Sequence, residues 1–195
     1  MDWIGLLGAI GTVLGLIRAV PQLVRLWRAQ RADGVSPDSS ATSAAVSSGW
    51  AVYGALTGQL YVVLATGASA LIFAAVTLLA IRYGRTWREL RVAPIWSIVL
   101  VGAGVIAGAA GLGVILPISV LAANLPQIRV AWRETDLRGV SLGSWLLSLS
   151  DGLIWGGYAL AAQDAAILTY GIFGLATSAV IIGLKLRQGR AGVDG

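Results

Sequence analysis

Two ionisable side chains interrupt long apolar stretches of this chain: Arg18 in "GLIRAVPQ" and Asp151 in "SLSDGLIW". A charge held among apolar neighbours is costly in lipid and marks a candidate functional position. Asp151 precedes Trp155 by four residues, so on a helix both project to one side. Arg18 precedes Pro21 by three, about one turn away. Such a carboxylate can bind a proton or the positive end of a solute. It can equally close on Arg18 as a static pair that staples two parts of the fold, and the residue types alone allow either. Enzyme chemistry is poorly served. The chain has no histidine and no cysteine, so it lacks a thiolate, the commonest metal ligand and the commonest general base. No nucleophile–base pair or metal set is discernible, and no cofactor is expected.

The elements that position these residues follow from composition. With 57% hydrophobic and 12% charged residues over 195 positions, the chain has too little polar surface to coat a soluble globule. Seven apolar runs, at 3–24, 39–57, 60–81, 93–110, 112–131, 143–162 and 165–185, approach the roughly 20 residues that cross a hydrocarbon core. The opening "MDWIGLLGAIGTVLGLI" lacks a basic n-region and reads as a retained membrane helix rather than a cleaved signal. The net charge of +5 is distributed by topology. Arg25, Arg28 and Arg31 follow the first run, and Arg82, Arg85, Arg88 and Arg91 the third. Arg129, Arg133 and Arg138 flank the loop after the fifth, and Lys185, Arg187 and Arg190 follow the seventh, while the alternate connections carry no Lys or Arg. The positive-inside bias then places the N-terminus outside and the C-terminus in the cytoplasm. A topology signal accounts for these charges better than a nucleic-acid surface, so the bilayer is the expected partner.

A repeat organises the runs. Shifted by 105 positions, "AVPQLVRLWRAQRADGVS" falls on "NLPQIRVAWRETDLRGVS" without a gap: Pro21 on Pro126, Gln22 on Gln127, Trp27 on Trp132 and Gly34-Val35-Ser36 on Gly139-Val140-Ser141. The register continues through Trp50 on Trp155 and Tyr53 on Tyr158. Each copy holds three helices, and the fourth run is left over. Three crossings invert the chain, so one extra crossing restores the second trio's orientation and makes the two copies parallel. The expected organisation is a repeat over 1–85, a linker helix over 86–110, a second repeat over 111–190 and a tail over 191–195.

Each copy bends at its own proline. Pro21 and Pro126 remove an amide donor and clash with the carbonyl one turn back, and Gln22 and Gln127 offer amides to the opened backbone or across helices. Matched positions in both copies make them candidate hinges. Trp50 and Trp155 lie well inside their runs, where an indole can stack on an apolar sugar face while its N–H sets orientation. Trp3, Trp27, Trp87, Trp96, Trp132 and Trp145 lie near expected interfaces and read as belt anchors. Asn124, Ser47 and Ser48 add uncharged donors to a possible polar lining.

These residues resemble the PQ-loop superfamily. The trio–linker–trio layout is similar to the SWEET sugar transporters, and each trio to a bacterial SemiSWEET half. The marks are "VPQ" and "LPQ", the "GVS" after each, and "GWAVYG" and "IWGGYA" in each second helix. The resemblance implies an all-α membrane protein of seven transmembrane helices as two parallel three-helix bundles joined by a linker helix. It implies a transporter of a small polar solute, a mono- or disaccharide by preference, moving by alternating access. In the sugar porters a second-helix tryptophan and a third-helix asparagine of each unit frame the solute. The tryptophans carry over as Trp50 and Trp155, whereas the asparagine positions hold Thr66 and Gly171. Proton-coupled amino-acid exporters of the cystinosin type and receptors of the KDEL type share the architecture, so the resemblance leaves those activities as alternatives, together with a membrane scaffold. Homo-oligomers are compatible with either. The Ala/Gly/Arg-rich, linker-poor composition suggests a bacterial cytoplasmic membrane.

Overall fold

The computed structural model describes residues 3–133 and 141–191, without side chains at 126, 127, 130 and 188–191. Its helices are α1 (Trp3–Ala29), α2 (Pro37–Leu56), α3 (Leu60–Arg82), α4 (Val92–Arg133), α5 (Leu142–Ala162) and α6 (Ala165–Ala191), with a 3₁₀ turn at Trp87–Glu89. The repeated "GVS" proves to be a helix-start signal. Gly34 takes a left-handed φ of 72°, Val35 is buried, and Ser36 Oγ accepts the Ser39 N–H at 3.2 Å, with Pro37 in the first helical position. A proline there sacrifices only a donor that has no partner in the helix. Ser141 caps α5 in the same way, accepting the Ser144 N–H at 3.3 Å. Its companions Gly139 and Val140, like Arg138 and the tail beyond 191, lie outside the described residues.

Helix α4 is two helices. Gly108 adopts φ 56° and ψ −134°, a conformation that only glycine takes without strain. There the chain doubles back. A Cβ on Gly111 would collide with the Ala103 carbonyl, and one on Gly104 would lie 3.7 Å from the Leu112 side chain. The arms 92–107 and 109–133 correspond to the fourth and fifth apolar runs, with the turn a few residues earlier than hydropathy placed it. Counting them separately gives seven helical rods among the described residues.

The chain is a multi-pass membrane protein. By length and composition, four stretches suffice to cross a bilayer: Trp3–Ala29, Leu60–Arg82, Val92–Leu125 (both arms of α4 in part) and Ala165–Arg187. Helices α2 and α5 fall short because serines, glycines, aromatics and, in α5, Asp151 dilute their apolar residues. These are the second helices of the two copies. Polar content of this kind is tolerated in a span where neighbouring protein rather than lipid surrounds it.

The helices form two compact units, one of residues 8–116 and one of residues from 117 onward joined by the first turns of α1. Each has a small apolar knot near the basic end of its helices, and the knots occupy repeat-equivalent positions. In the first, Leu26 and Val76 are fully buried with Ala32, Val35 and Ala80, flanked by Leu23, Leu79 and Tyr83. In the second, Ala131 and Ile181 are buried, flanked by Ile128, Leu184 and Trp145. Leu23, Leu26, Val76 and Leu79 map by the 105-residue shift onto Ile128, Ala131, Ile181 and Leu184. The duplication therefore extends from sequence to packing. Trp145, expected at the membrane interface, packs against the second knot, at the position where the first copy has Ser40.

One contact has no counterpart in the second copy. The Asp38 carboxylate, just ahead of the apolar run of α2, accepts the backbone N–H groups of Arg91, Val92 and Ala93 at 2.9–3.1 Å and so caps the start of α4. Position 143, its equivalent, is glycine and has no side chain to make such a cap. Burial alone would raise the Asp38 pKa. The Ala93, Val92 and Arg91 amides and the Arg91 charge outweigh that and hold it below the ordinary 3.8. A depressed carboxylate stabilises the fold fully above its unfolded pKa and loses that contribution as pH falls through the folded one. Asp38→Asn should therefore lower stability at neutral pH by about 1 kcal/mol, the worth of a helix cap. The melting-temperature gap to wild type should close as the pH drops below 3.8; a gap independent of pH would show that the charge is irrelevant.

Candidate functional site

Each unit buries one tryptophan–tyrosine pair on its second helix. In α2, Trp50 and Tyr53 are each 7% exposed and meet edge-to-face with centroids 5.5 Å apart. In α5, Trp155 and Tyr158 are 7% and 2% exposed and meet at 5.3 Å. A spacing of three places the rings on one helix face, and perpendicular rings put the positive edge of one on the negative face of the other. By contrast, Trp3, Trp27, Trp87 and Trp132 are 59–77% exposed. The burial of Trp50 and Trp155 thus separates them from the interfacial set. Tyr53 and Tyr158 entered the sequence reading only as repeat markers, although the shared Trp-x-x-Tyr spacing is the signal for the pairing.

The second unit carries a charge that the first lacks. Asp151 is 4% exposed and accepts a 2.7 Å hydrogen bond from the Tyr170 hydroxyl of α6. The equivalent positions in the first unit are Val46 and Ala65. Helices α5 and α6 approach closely beside this pair. A Cβ added to Gly171 would stand 2.9 Å from Gly156 Cα and 3.0 Å from the Gly152 carbonyl, and one on Gly152 would stand 3.1 Å from the Gly171 carbonyl. Gly171, matched to a solute-framing position by resemblance, is thus a contact point between helices. At the equivalent position in the first unit, Thr66 Oγ1 donates to its own helix at the Val62 carbonyl, 2.6 Å away.

Asn124, on the second arm of α4, donates through Nδ2 to Thr177 Oγ1 on α6 at 2.9 Å, and the Thr177 hydroxyl in turn donates to the Phe173 carbonyl at 2.8 Å. Thr177 is 4% exposed, and sequence reading did not single it out. Pro21 is an exposed residue inside α1, which continues as one helix to Ala29; Gln22 beside it is half-buried. Pro126 and Gln127 lie within the second arm of α4, their side chains outside the described ones. Arg18 is exposed on α1 and belongs to the first unit, whereas Asp151 belongs to the second. Taken one unit at a time, the first offers the Trp50–Tyr53 faces, and the second the Trp155–Tyr158 faces, the Asn124 amide, the Tyr170 and Thr177 hydroxyls and the Asp151 carboxylate.

A family model described as PQ loop repeat matches residues 3–63, a stretch that spans α1, the capped turn and α2. No curated protein matches the chain by sequence. Among solved structures, a eukaryotic SWEET transporter determined at 3.7 Å superposes with a TM-score of 0.77 at 16% identity, covering 96% of this chain and 97% of that one. The chain thus has an all-helical fold of the SWEET type over nearly its whole length. Its N-terminal copy bears the PQ-loop signature, as the resemblance read from the sequence anticipated.

Proposed function

We propose that the protein is a membrane transporter of a small polar solute, most favourably a mono- or disaccharide, working by alternating access of its two repeats. The observation that carries this reading is the pair of buried aromatic platforms, Trp50–Tyr53 and Trp155–Tyr158, at equivalent points of a duplicated fold shared with a SWEET transporter. Sugar rings present C–H faces that stack on aromatic planes, and hydroxyls that an indole N–H or a side-chain amide such as that of Asn124 can orient. Thr66 and Gly171 stand at the third-helix positions beside the site. Pro21 with Gln22, and Pro126 with Gln127, serve as paired hinges, since a missing backbone hydrogen bond is where a helix bends at least cost. The trio over 1–85, the linker over 86–110 and the trio over 111–190 are the moving parts. Alternating basic loops orient the N-terminus outward in a bacterial cytoplasmic membrane.

A second reading, proton-coupled export of an amino acid, is favoured by one observation, the buried Asp151. In that reading Arg18 and Asp151 are the charged residues that answer a charged or protonated cargo. Uptake by proteoliposomes containing the full chain separates the two. The expected result is exchange of labelled glucose or sucrose above protein-free liposomes. Flat uptake across a broad sugar panel, with robust amino-acid flux instead, would remove the sugar reading.

A further inference from the structure

We infer that the basic end of the first unit holds a lipid headgroup: the phosphodiester of an anionic, hydroxyl-bearing lipid of the phosphatidylglycerol class. The site is a cavity of about 310 Å³ between two connections of that unit. Residues 31–34, which lead from α1 into α2, line one part of it, and residues 83–85, which follow α3, line the rest. Gly34 (φ 72°) and Gly84 (φ 106°) supply left-handed turns in these two connections. A Cβ on either would meet nothing within 4 Å, so the space beside them is open.

Arg85 is fixed before any ligand arrives. Its Nε donates to the Ala32 carbonyl at 3.3 Å, and its Nη1 donates to Glu89 Oε2 at 3.4 Å. A guanidinium has five N–H donors and these bonds take two, which leaves the others for an anion. Arg31, from the other connection, is 77% exposed, with Nε 3.6 Å from the Asp33 carboxylate. An exposed pair of that kind is worth little, so Arg31 turns readily to a phosphate, whose oxygens match the paired donors of a guanidinium. Asp33 also lines the cavity. Its carboxylate repels a phosphate but accepts hydrogen bonds from hydroxyl groups. The cavity therefore offers two cations to a phosphodiester and one acceptor to the hydroxyls beyond it. A topology signal requires only that arginines lie in these loops. It does not require two of them, more than fifty residues apart in the chain, to line one cavity.

Three observations favour a lipid over a free phosphate. Between Arg25 and Arg91 this end of the unit carries seven arginines against Asp33, Asp38 and Glu89, and Asp38 is already engaged by the start of α4. Such an excess attracts anionic headgroups at a membrane surface. Trp27, one turn before Arg31, and Trp87, two residues after Arg85, are 63% and 59% exposed. Exposed indoles at a helix end belong at the depth of the headgroups. Along the same two helices, Ile17, Val20, Leu71 and Leu78 are 39–75% exposed, an apolar surface for the acyl chains that a free anion would leave unused.

The test uses the full chain in detergent, with synthetic lipids of matched acyl chains added back. Native mass spectrometry reads bound lipid, and thermal melting reads the stabilisation that binding confers. The wild type should retain a single phosphatidylglycerol, melt higher in its presence, and gain nothing from phosphatidylcholine. Arg31→Gln should melt like the wild type without lipid and lose about tenfold in phosphatidylglycerol affinity, the scale of one charge-assisted hydrogen bond. Arg88→Gln removes the same charge from an exposed residue outside the lining and should lose much less. Equal losses in the two variants would reduce the effect to diffuse charge and overturn the site. Phosphatidylethanol has the same charge without the headgroup hydroxyls, so it should bind the wild type more weakly than phosphatidylglycerol, and Asp33→Ala should erase that preference. Phosphatidylethanolamine bound as tightly as phosphatidylglycerol would overturn the assignment to an anionic, hydroxylated headgroup. Inorganic phosphate and glycerol phosphate should neither raise the melting temperature nor displace the lipid. If either does so as well as the lipid, the cavity takes a free anion and the lipid assignment falls.

Discussion

Trp50→Ala and Trp155→Ala are each expected to reduce solute flux by at least tenfold. The two rings occupy equivalent, nearly buried positions, and each braces a tyrosine edge-to-face. Truncation removes both the stacking plane and the indole donor, and leaves its tyrosine without a ring to pack on. Aromatic pairing contributes about 0.5–1.5 kcal/mol beyond area burial, and loss of one oriented hydrogen bond about 1 kcal/mol more. Together these approach or exceed the 1.4 kcal/mol that corresponds to a decade in rate. Removing a buried tryptophan also costs stability, about 3–5 kcal/mol in soluble cores, so Trp50→Phe and Trp155→Phe provide the discriminating comparison. They keep an aromatic plane and lose only the donor, and should retain folding with a smaller loss of flux. Near-normal rates in both alanine variants would return these residues to a packing role. The measurement is initial uptake rate per folded protein, with folding checked by monodispersity in detergent.

Gly171→Ala should destabilise the protein by about 2 kcal/mol, the usual scale of overpacking, while Gly156→Ala should be neutral or mildly stabilising. The contrast is sharp because the two glycines face each other. A Cβ on Gly171 would drive into the Gly156 backbone at 2.9 Å and the Gly152 carbonyl at 3.0 Å, whereas one on Gly156 meets nothing within 4 Å. Backbone cannot rotate aside as a side chain can, so α5 and α6 must part to admit even one methyl group. Parting them stretches the bond between Asp151 and Tyr170 nearby, so Gly171→Ala should also weaken any pH dependence of uptake. Thermal melting in detergent reads the first effect directly. Equal melting temperatures for the two variants would mean that the helix contact is softer than its geometry indicates.

The repeat was readable because it is written in uncommon residues. Proline, tryptophan and tyrosine held at one offset identify equivalent backbone positions even where the apolar filler between them has changed. Seven rods were readable from apolar runs alone, although the reversal at Gly108 was not located: "GAGVIAGAAGLG" offers glycine at several places, and only the backbone shows which one turns. Helices α2 and α5 were read as spans like the others, and their polar dilution becomes meaningful only when set beside their more apolar neighbours. Asp151 was found from its chemistry, but its partner was not, since Tyr170 lies on the next helix and a tyrosine among apolar residues has no reason to stand out. Asp38 caps a helix that starts more than fifty residues later, a long-range contact that no local pattern encodes. Trp145 was read as an interface anchor, and its packing against the second knot is a contact that no local pattern shows. Here a neighbouring alanine left space for it.

That last exchange bears on how the two halves have drifted apart. The first knot fills its centre with Leu26, the first copy having small Ser40 at the position equivalent to Trp145, and the second places Ala131 where the leucine would be and lets Trp145 lean in. Volume lost at one site is returned at another, which is how cores tolerate divergence. The halves are consequently not interchangeable letter by letter. A leucine grafted onto position 131 would compete with the indole for one space, and a serine at 145 would hollow out what an alanine cannot fill. Hybrids that shuffle the copies must carry these positions across as linked sets.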